Sequence, residues 1–193
     1  MPHEMPAALR PVLDFINTID VEDGTDAFDG PPALLSGWLA AQGLLTGKTP
    51  AVAADLRLAL DLRAGLRALA LINNQGVPDE PALDRLKAAL SRLPLAVTVS
   101  GTLEPRSPAP VRAALTRIVA GYAEAVASGT WSRLRRCPAD DCAWAFWDSS
   151  PKGTRRWDVM RVCGNRAKAR TFAARAKETS IPLGNQGSPD PRR

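Results

Sequence analysis

Histidine and cysteine, two of the side chains most used to bind transition metals, are scarce in this chain of 193 residues. The one histidine, His3, lies in a short proline-broken leader, and the three cysteines all fall between positions 137 and 163. A lone histidine so placed leaves general-base catalysis without its commonest residue. Three cysteines in one window are an odd number, which argues against a disulfide framework and favours metal binding. A Gly-rich phosphate loop and a nucleophile elbow are also lacking, so no catalytic residue is assigned and an enzyme is not expected. No apolar run reaches about 18 residues, and no charged-then-apolar leader with a cleavage site is seen. Neither a membrane span nor a secretory signal is therefore expected, and the cytoplasm is the default compartment.

What is present is a pair of pairs: Cys137-x4-Cys142 and Asp158-x4-Cys163. Zinc takes thiolate or carboxylate ligands in a tetrahedron, and two short-range pairs separated by a loop can close one. Cys137, Cys142, Asp158 and Cys163 are the candidate ligands and Zn2+ the candidate ion. Three thiolates and one carboxylate carry the same four negative charges as an all-thiolate site. If Asp158 instead faces solvent, three thiolates plus water approach a catalytic geometry, which is the only route to a zinc hydrolase here.

The net charge of +5 is unevenly placed. Residues 1–130 hold 11 Lys and Arg against 14 Asp and Glu, a balance of −3, whereas 131–177 hold 12 against 4, a balance of +8. The whole basic excess belongs to the segment with the cysteines, an electrostatic footprint for a polyanion such as DNA. A solvated basic face that only maintains solubility is the alternative.

Up to position 130 apolar residues recur at three- and four-residue spacing. The pattern predicts helices over 11–19, 33–42, 50–73, 80–93 and 111–127. The strongest carries Leu56, Leu60, Leu66 and Leu69 and is opened by Thr49-Pro50. On the last, Leu115, Ile118, Val119, Tyr122 and Val126 form the apolar side. Leu95 to Val99 and Thr102 to Glu104, with Ser100-Gly101 between them, predict a hairpin among the helices. A strand should run into Cys137, the chain should return as 143–147 and loop through 149–156, and Cys163 should open a helix. On that helix Asn165, Ala169, Phe172 and Ala176 share the face expected to pack on the knuckle. Arg166, Arg170 and Lys177 share another face and are the better phosphate candidates. Arg155 and Arg156, together with Arg133, Arg135 and Arg136, could extend it. Such contacts position a protein on DNA without reading sequence. Trp144, Phe146 and Trp157 are expected in the core of the small module, although aromatics can also stack on unpaired bases.

The second pair of ligands continues as Cys163-Gly164-Asn165-Arg166. With Arg135-Arg136-Cys137, Cys142, Trp144, Phe146 and Arg155-Arg156-Trp157 in order before it, the segment from Leu134 to about Arg175 resembles the CGNR zinc finger. In that family the residue after the tryptophan is usually a fourth cysteine; here it is Asp158. Leu13-Asp14-Phe15-Ile16-Asn17-Thr18, Trp38-Leu39 and Gly43-Leu44-Leu45 resemble the ABATE domain that commonly precedes such a finger. The resemblance implies a stress-responsive transcriptional regulator with a treble-clef-like finger, a first domain that senses a small-molecule effector or dimerises, and DNA as partner. Asp14, Asn17 and Thr18, at i, i+3 and i+4 beside apolar residues, are the candidate effector contacts; capping of a neighbouring loop is their other role. The expected fold class is a mainly α domain with a small β hairpin (α+β) over 1–130, then a treble-clef-like zinc module over 131–178 and a disordered tail over 179–193. The competing function is a zinc-stabilised protein-interaction module without DNA binding.

Overall fold

The computed structural model describes residues 3–179, with the side chains of its last helix described as far as Ala173. The expected tail therefore lies outside the described residues from position 180 onward. The described residues form two compact units, one ending at Asp158 and one beginning at Val159.

In the first unit the helices are α1 (Arg10–Ile16), α2 (Ala33–Ala41), α3 (Ala53–Ile72), α4 (Glu80–Leu90) and α5 (Pro110–Ala127). All five predicted helices are present, with shifted ends. Thr49-Pro50 does not open α3. The turn starts at Val52, whose N–H donates to the Asp55 carboxylate three residues on (3.2 Å), so an acidic first-turn side chain does the capping. Asp79 caps α4 by accepting from the Ala82 N–H (3.0 Å), and Pro81 fits its first turn, where no donor is needed. Three antiparallel two-stranded ribbons accompany the helices: β1 (Ile19–Asp20) with β2 (Thr25–Asp26), β3 (Leu95–Val97) with β4 (Leu103–Pro105), and β5 (Leu134–Arg136) with β6 (Ala145–Trp147). The first ribbon has no sequence signal of alternation and was not expected. The other two stand where the β-branched run and the cysteine spacing predict them. No described helix is long and apolar enough to cross a membrane.

The buried stripe of α3 is Leu58, Leu62 and Leu66, while Leu56, Leu60 and Leu69 flank it half-buried. The expected stripe is thus rotated: two faces of α3 carry leucine, and packing chooses the one also rich in alanine. On α5, Ala125 is buried where Val126 was expected, and Val126 is exposed. Close approach is set by missing side chains at two positions. A Cβ on Gly65 would stand 2.3 Å from the Leu86 Cβ, and one on Gly121 would stand 2.2 Å from the Ala8 carbonyl oxygen. α3 can therefore meet α4, and α5 the turn before α1, nearly backbone to side chain.

The core does not stop at position 130. Trp131, Leu134 and Ala145 belong to the same buried cluster as Phe15, Leu62 and Leu115, and Trp147 packs against it. The β5–β6 ribbon thus contributes to the core of the helical domain, beyond what its leucine-rich helices bury among themselves.

The second unit opens with a π-helical turn (Met160–Gly164) that buries Cys163 and Gly164 and continues as α6 (Asn165–Thr179). Regular α-helix thus begins two residues later than Cys163. Asn165, Ala169 and Phe172, on the face expected to pack, are exposed, Phe172 at 77%. Ala176 lies outside the residues with described side chains.

Candidate metal centre and ligand cleft

The β5–β6 register pairs Leu134 with Trp147 and Arg136 with Ala145. The Cys137 N–H donates to the Trp144 carbonyl (2.8 Å), so the ribbon extends to the first thiol. The chain then turns tightly: the Cys142 and Ala143 N–H groups both donate to the Ala139 carbonyl, and Ala143 takes a left-handed φ of 50°. This turn reverses the chain within the Cys-x4-Cys spacing.

Helical-domain side chains hold this knuckle by its backbone. Asn17 Nδ2 donates to the Ala145 carbonyl (2.8 Å), and the Ala145 N–H donates back to Asn17 Oδ1 (2.9 Å). Arg67 donates to the Ile16 carbonyl (2.6 Å) and the Ala143 carbonyl (2.8 Å). At the end of α3, Asn73 donates to the carbonyls of Trp131 and Leu134, and Asn74 to those of Arg136 and Arg156. Burial lowers the Arg67 pKa to about 10, with repulsion from Arg136 and Arg63 adding to the shift and Asp26 and Asp20 opposing it. Arg67 remains a cation at neutral pH, held by carbonyls.

The loop after β6 is organised from within by Asp148, which is fully buried. Its carboxylate accepts from the Ser150 N–H and hydroxyl and from the Arg155 N–H (2.9 Å). Burial alone would raise its pKa, but these hydrogen bonds and the nearby Arg135 charge hold it below the usual carboxylate range. Arg133 donates to the carbonyls of Asp148 and Ser150, and Arg135 to those of Gly153 and Arg155. Arg136 is largely buried, which pushes its pKa down against the pull of Asp140, Asp79 and Cys137. Arg133 and Arg135 thus hold the loop after β6 by its backbone. Sequence gave no sign of the Asp148 anchor, because a buried aspartate and an exposed one look alike without the fold.

The sulfur atoms of Cys137, Cys142 and Cys163 lie within 4.8 Å of one another, all three buried and none in a disulfide. A tetrahedral zinc with bonds of about 2.3 Å needs sulfur separations of roughly 3.8 Å, so the thiols are close to a metal-binding arrangement. This donor set fits zinc, with the thiolates supplying three ligands. Asp158 is not brought into that group. Its backbone carbonyl accepts from Arg155 Nη2, and its carboxylate lies 3.5 Å from the same nitrogen. Burial raises the Asp158 pKa, Arg155 opposes the shift and Glu22 adds to it.

Among the DNA candidates, Arg155 lies over the Phe146 ring (4.5 Å) and Arg156 over the Trp157 ring (5.6 Å). Both residues are exposed, as are Arg166 and Arg170 on α6. The side chain of Lys177 lies outside the described residues. Phe146 is buried, and Trp144 and Trp157 are half-buried, so the aromatics supply packing as expected.

Asp14, Asn17 and Thr18 all line one cleft of about 870 Å³ in the first unit. Only Asp14 points there without a structural duty inside the fold; it pairs with Arg10 (3.1 Å) on the surface of α1. Asn17 clamps β6, and the Thr18 hydroxyl donates to the Phe15 carbonyl while accepting from Arg63 (2.9 Å). Arg63, itself buried, grips the Asp26 carboxylate with two bonds of 2.7 and 2.6 Å. Burial would raise the Asp26 pKa, yet the Arg63 bonds, the Phe28 N–H and the charges of Arg63 and Arg67 bring it below its usual range. The lining also includes Trp144, Phe146, Trp147 and Arg155 from the finger segment.

A helical domain whose core runs on into a cysteine-bearing ribbon, followed by a third buried thiol ahead of a basic helix, is a helical domain fused to a cysteine cluster suited to a metal ion. Family models agree: one described as "Putative stress-induced transcription regulator" (ABATE) matches residues 9–129, and the CGNR zinc finger matches residues 133–176. The chain belongs to the ABATE family and carries a CGNR zinc finger. Comparison with curated proteins finds no match. Both resemblances read from the sequence, in their expected order, are thereby borne out.

Proposed function

We propose that this chain is a cytoplasmic, non-enzymatic transcription regulator whose zinc-bound finger contacts DNA and whose helical domain receives a small-molecule effector or mediates homodimerisation. Zinc would be held by Cys137, Cys142 and Cys163, with Asp158 turning from Arg155 to complete the set. The observation that carries the reading is a division of labour among the cations of the +8 segment. Arg133 and Arg135 are drawn inward onto carbonyls and Arg136 is half-buried, whereas Arg156, Arg166 and Arg170 lie on the exposed surface, and Arg155, also exposed, is held by Asp158 and the Phe146 ring. The test is binding of the zinc-loaded full chain to a random-sequence DNA library across a salt series. Affinity that falls steeply with salt and is lost on chelation supports the reading, and no affinity at low salt overturns it.

A second reading has its own observation. Met160 and Phe172, exposed at 57% and 77%, place apolar surface among the same cations, as a protein-binding face would. Zinc-loaded protein that captures a protein partner and ignores DNA would select it.

A further inference from the structure

We propose that the cleft between α1 and the finger's aromatic residues binds a small organic cation with an apolar body, such as a quaternary or alkylated amine. The inference rests on the effector part of the regulator reading, and its test contains no DNA, so the two fail separately.

Two features of the cleft select this chemistry. The first is its rings: Trp38 from α2 and Trp144, Phe146 and Trp147 from the finger segment line a single space of about 870 Å³, large enough for a small ligand. Trp38 and Trp144 are half-buried, so each offers part of its surface to the cleft. Aromatic faces attract cations, and rings of this region already do so within the protein, with Arg155 over Phe146 at 4.5 Å and Arg63 over Phe28 at 5.2 Å.

The second feature is charge. Asp14, Asp20, Asp26 and Asp158 line the cleft against Arg10 and Arg155. Asp26 is neutralised by the buried Arg63, and Asp158 is partnered by Arg155, so Asp14 and Asp20 carry the argument. Asp20 uses one oxygen to cap its own turn, accepting from the Glu22 and Asp23 N–H groups. Asp14 holds only Arg10, whose side chain is 68% exposed, in an i,i+4 surface pair of the kind worth little and readily exchanged for another cation. An anion would meet carboxylates on entering and a neutral molecule would gain from the rings alone. A cation gains from both, and could replace Arg10 at Asp14 while its apolar part rests on Trp38 or Trp144.

The prediction runs against the overall charge of the chain, which at +5 favours anions by general attraction. Benzyltrimethylammonium and benzenesulfonate, titrated separately into the full chain in physiological salt and followed by tryptophan fluorescence and calorimetry, decide the point. Saturable binding is expected for the ammonium probe and not for the sulfonate. Asp14→Asn and Trp144→Leu should each weaken binding roughly fivefold, about what one exposed cation–π or charge contact contributes. Asp14→Asn sits on the exposed face of α1 and decides alone if Trp144→Leu disturbs the ribbon. Absence of saturation by the ammonium probe, equal binding of the sulfonate, or parent-like affinity in Asp14→Asn would each overturn the proposal.

Discussion

Asn17 and Ala145, 128 positions apart, exchange two hydrogen bonds of 2.8 and 2.9 Å, an amide side chain on one partner answering both backbone groups of the other. The pairing imitates one step of a β-ladder and fixes β6 to the end of α1. Asn17→Ala would leave a partly buried N–H and C=O without partners, and should cost about 2 kcal/mol by the penalty for such groups. Denaturant unfolding of the purified protein measures it, and a loss under about 0.5 kcal/mol would mean that water replaces the clamp.

The shared core gives an expectation about truncation. A fragment ending at residue 130 lacks Trp131, Leu134 and Ala145 from the buried cluster and strands the side-chain amides of Asn73 and Asn74. It should unfold without cooperativity, whereas a fragment ending at residue 158 should retain a sharp transition. In the full chain Leu134→Ala should lower stability by about 2–5 kcal/mol, the usual range for a fully buried leucine. A cooperative 1–130 fragment as stable as the longer one would refute the continuity of the core.

Metal analysis of protein purified without added zinc should find one zinc per chain. Cys137→Ser should lose most of it, because a buried thiolate is replaced by a neutral hydroxyl. Competition against a coloured chelator should rank Asp158→Cys above the parent and Asp158→Ala below it. Equal affinity in Asp158→Ala and the parent would leave that carboxylate with Arg155 and off the metal.

Acid stability follows from Asp26, whose folded pKa lies below the ordinary value of about 3.9. A carboxylate shifted down in the folded state stabilises the fold above its unfolded pKa, and the contribution is lost as pH falls through the folded pKa. Asp26→Asn should therefore be less stable than the parent at pH 7, with the gap closing as the pH drops through and below 4. Parallel unfolding curves at the two pH values test this, and a gap that stays constant would assign the loss to packing.

For DNA, each phosphate neutralised by a side chain contributes roughly 0.9 to the slope of log affinity against log salt. If Arg166 and Arg170 make such contacts, replacing both with alanine should flatten the slope by nearly two units. Sequence preference should hardly change. Salt titrations showing the parent slope in the double variant would remove α6 from the interface.

Periodicity found the five helices of the first unit, and the cysteine spacing found the ribbon that carries two thiols, because both signals are local in the chain. What escaped was non-local. Asn73 and Asn74 read as a helix end, and nothing nearby marks them as donors to carbonyls some 60 to 80 residues away. Arg63 and Arg67 carry no local signal of burial, yet are 6% and 7% exposed, since their partners come from the β1–β2 ribbon, the end of α1 and the knuckle. Among the proposed effector contacts, only the fold separates Asp14, which faces the cleft, from Asn17 and Thr18, which hold its wall. The helical wheel of α6 assigned Phe172 to a packed face, but periodicity carries no information on whether a partner is there to cover it.

The clamps of Asn17, Arg67, Asn73 and Asn74 act on backbone atoms on both sides of Cys137 and Cys142, and none of them involves a metal. In isolated finger peptides the ion must organise the chain that binds it, and much of its binding energy goes into that ordering. In this protein the ribbon bearing two thiols is set by the helical domain, so those two donors are preorganised and arrival of the ion asks little of them. Chelation should accordingly leave β5 and β6 in place, and zinc exchange should behave as ligation at a standing half-site more than as a folding reaction.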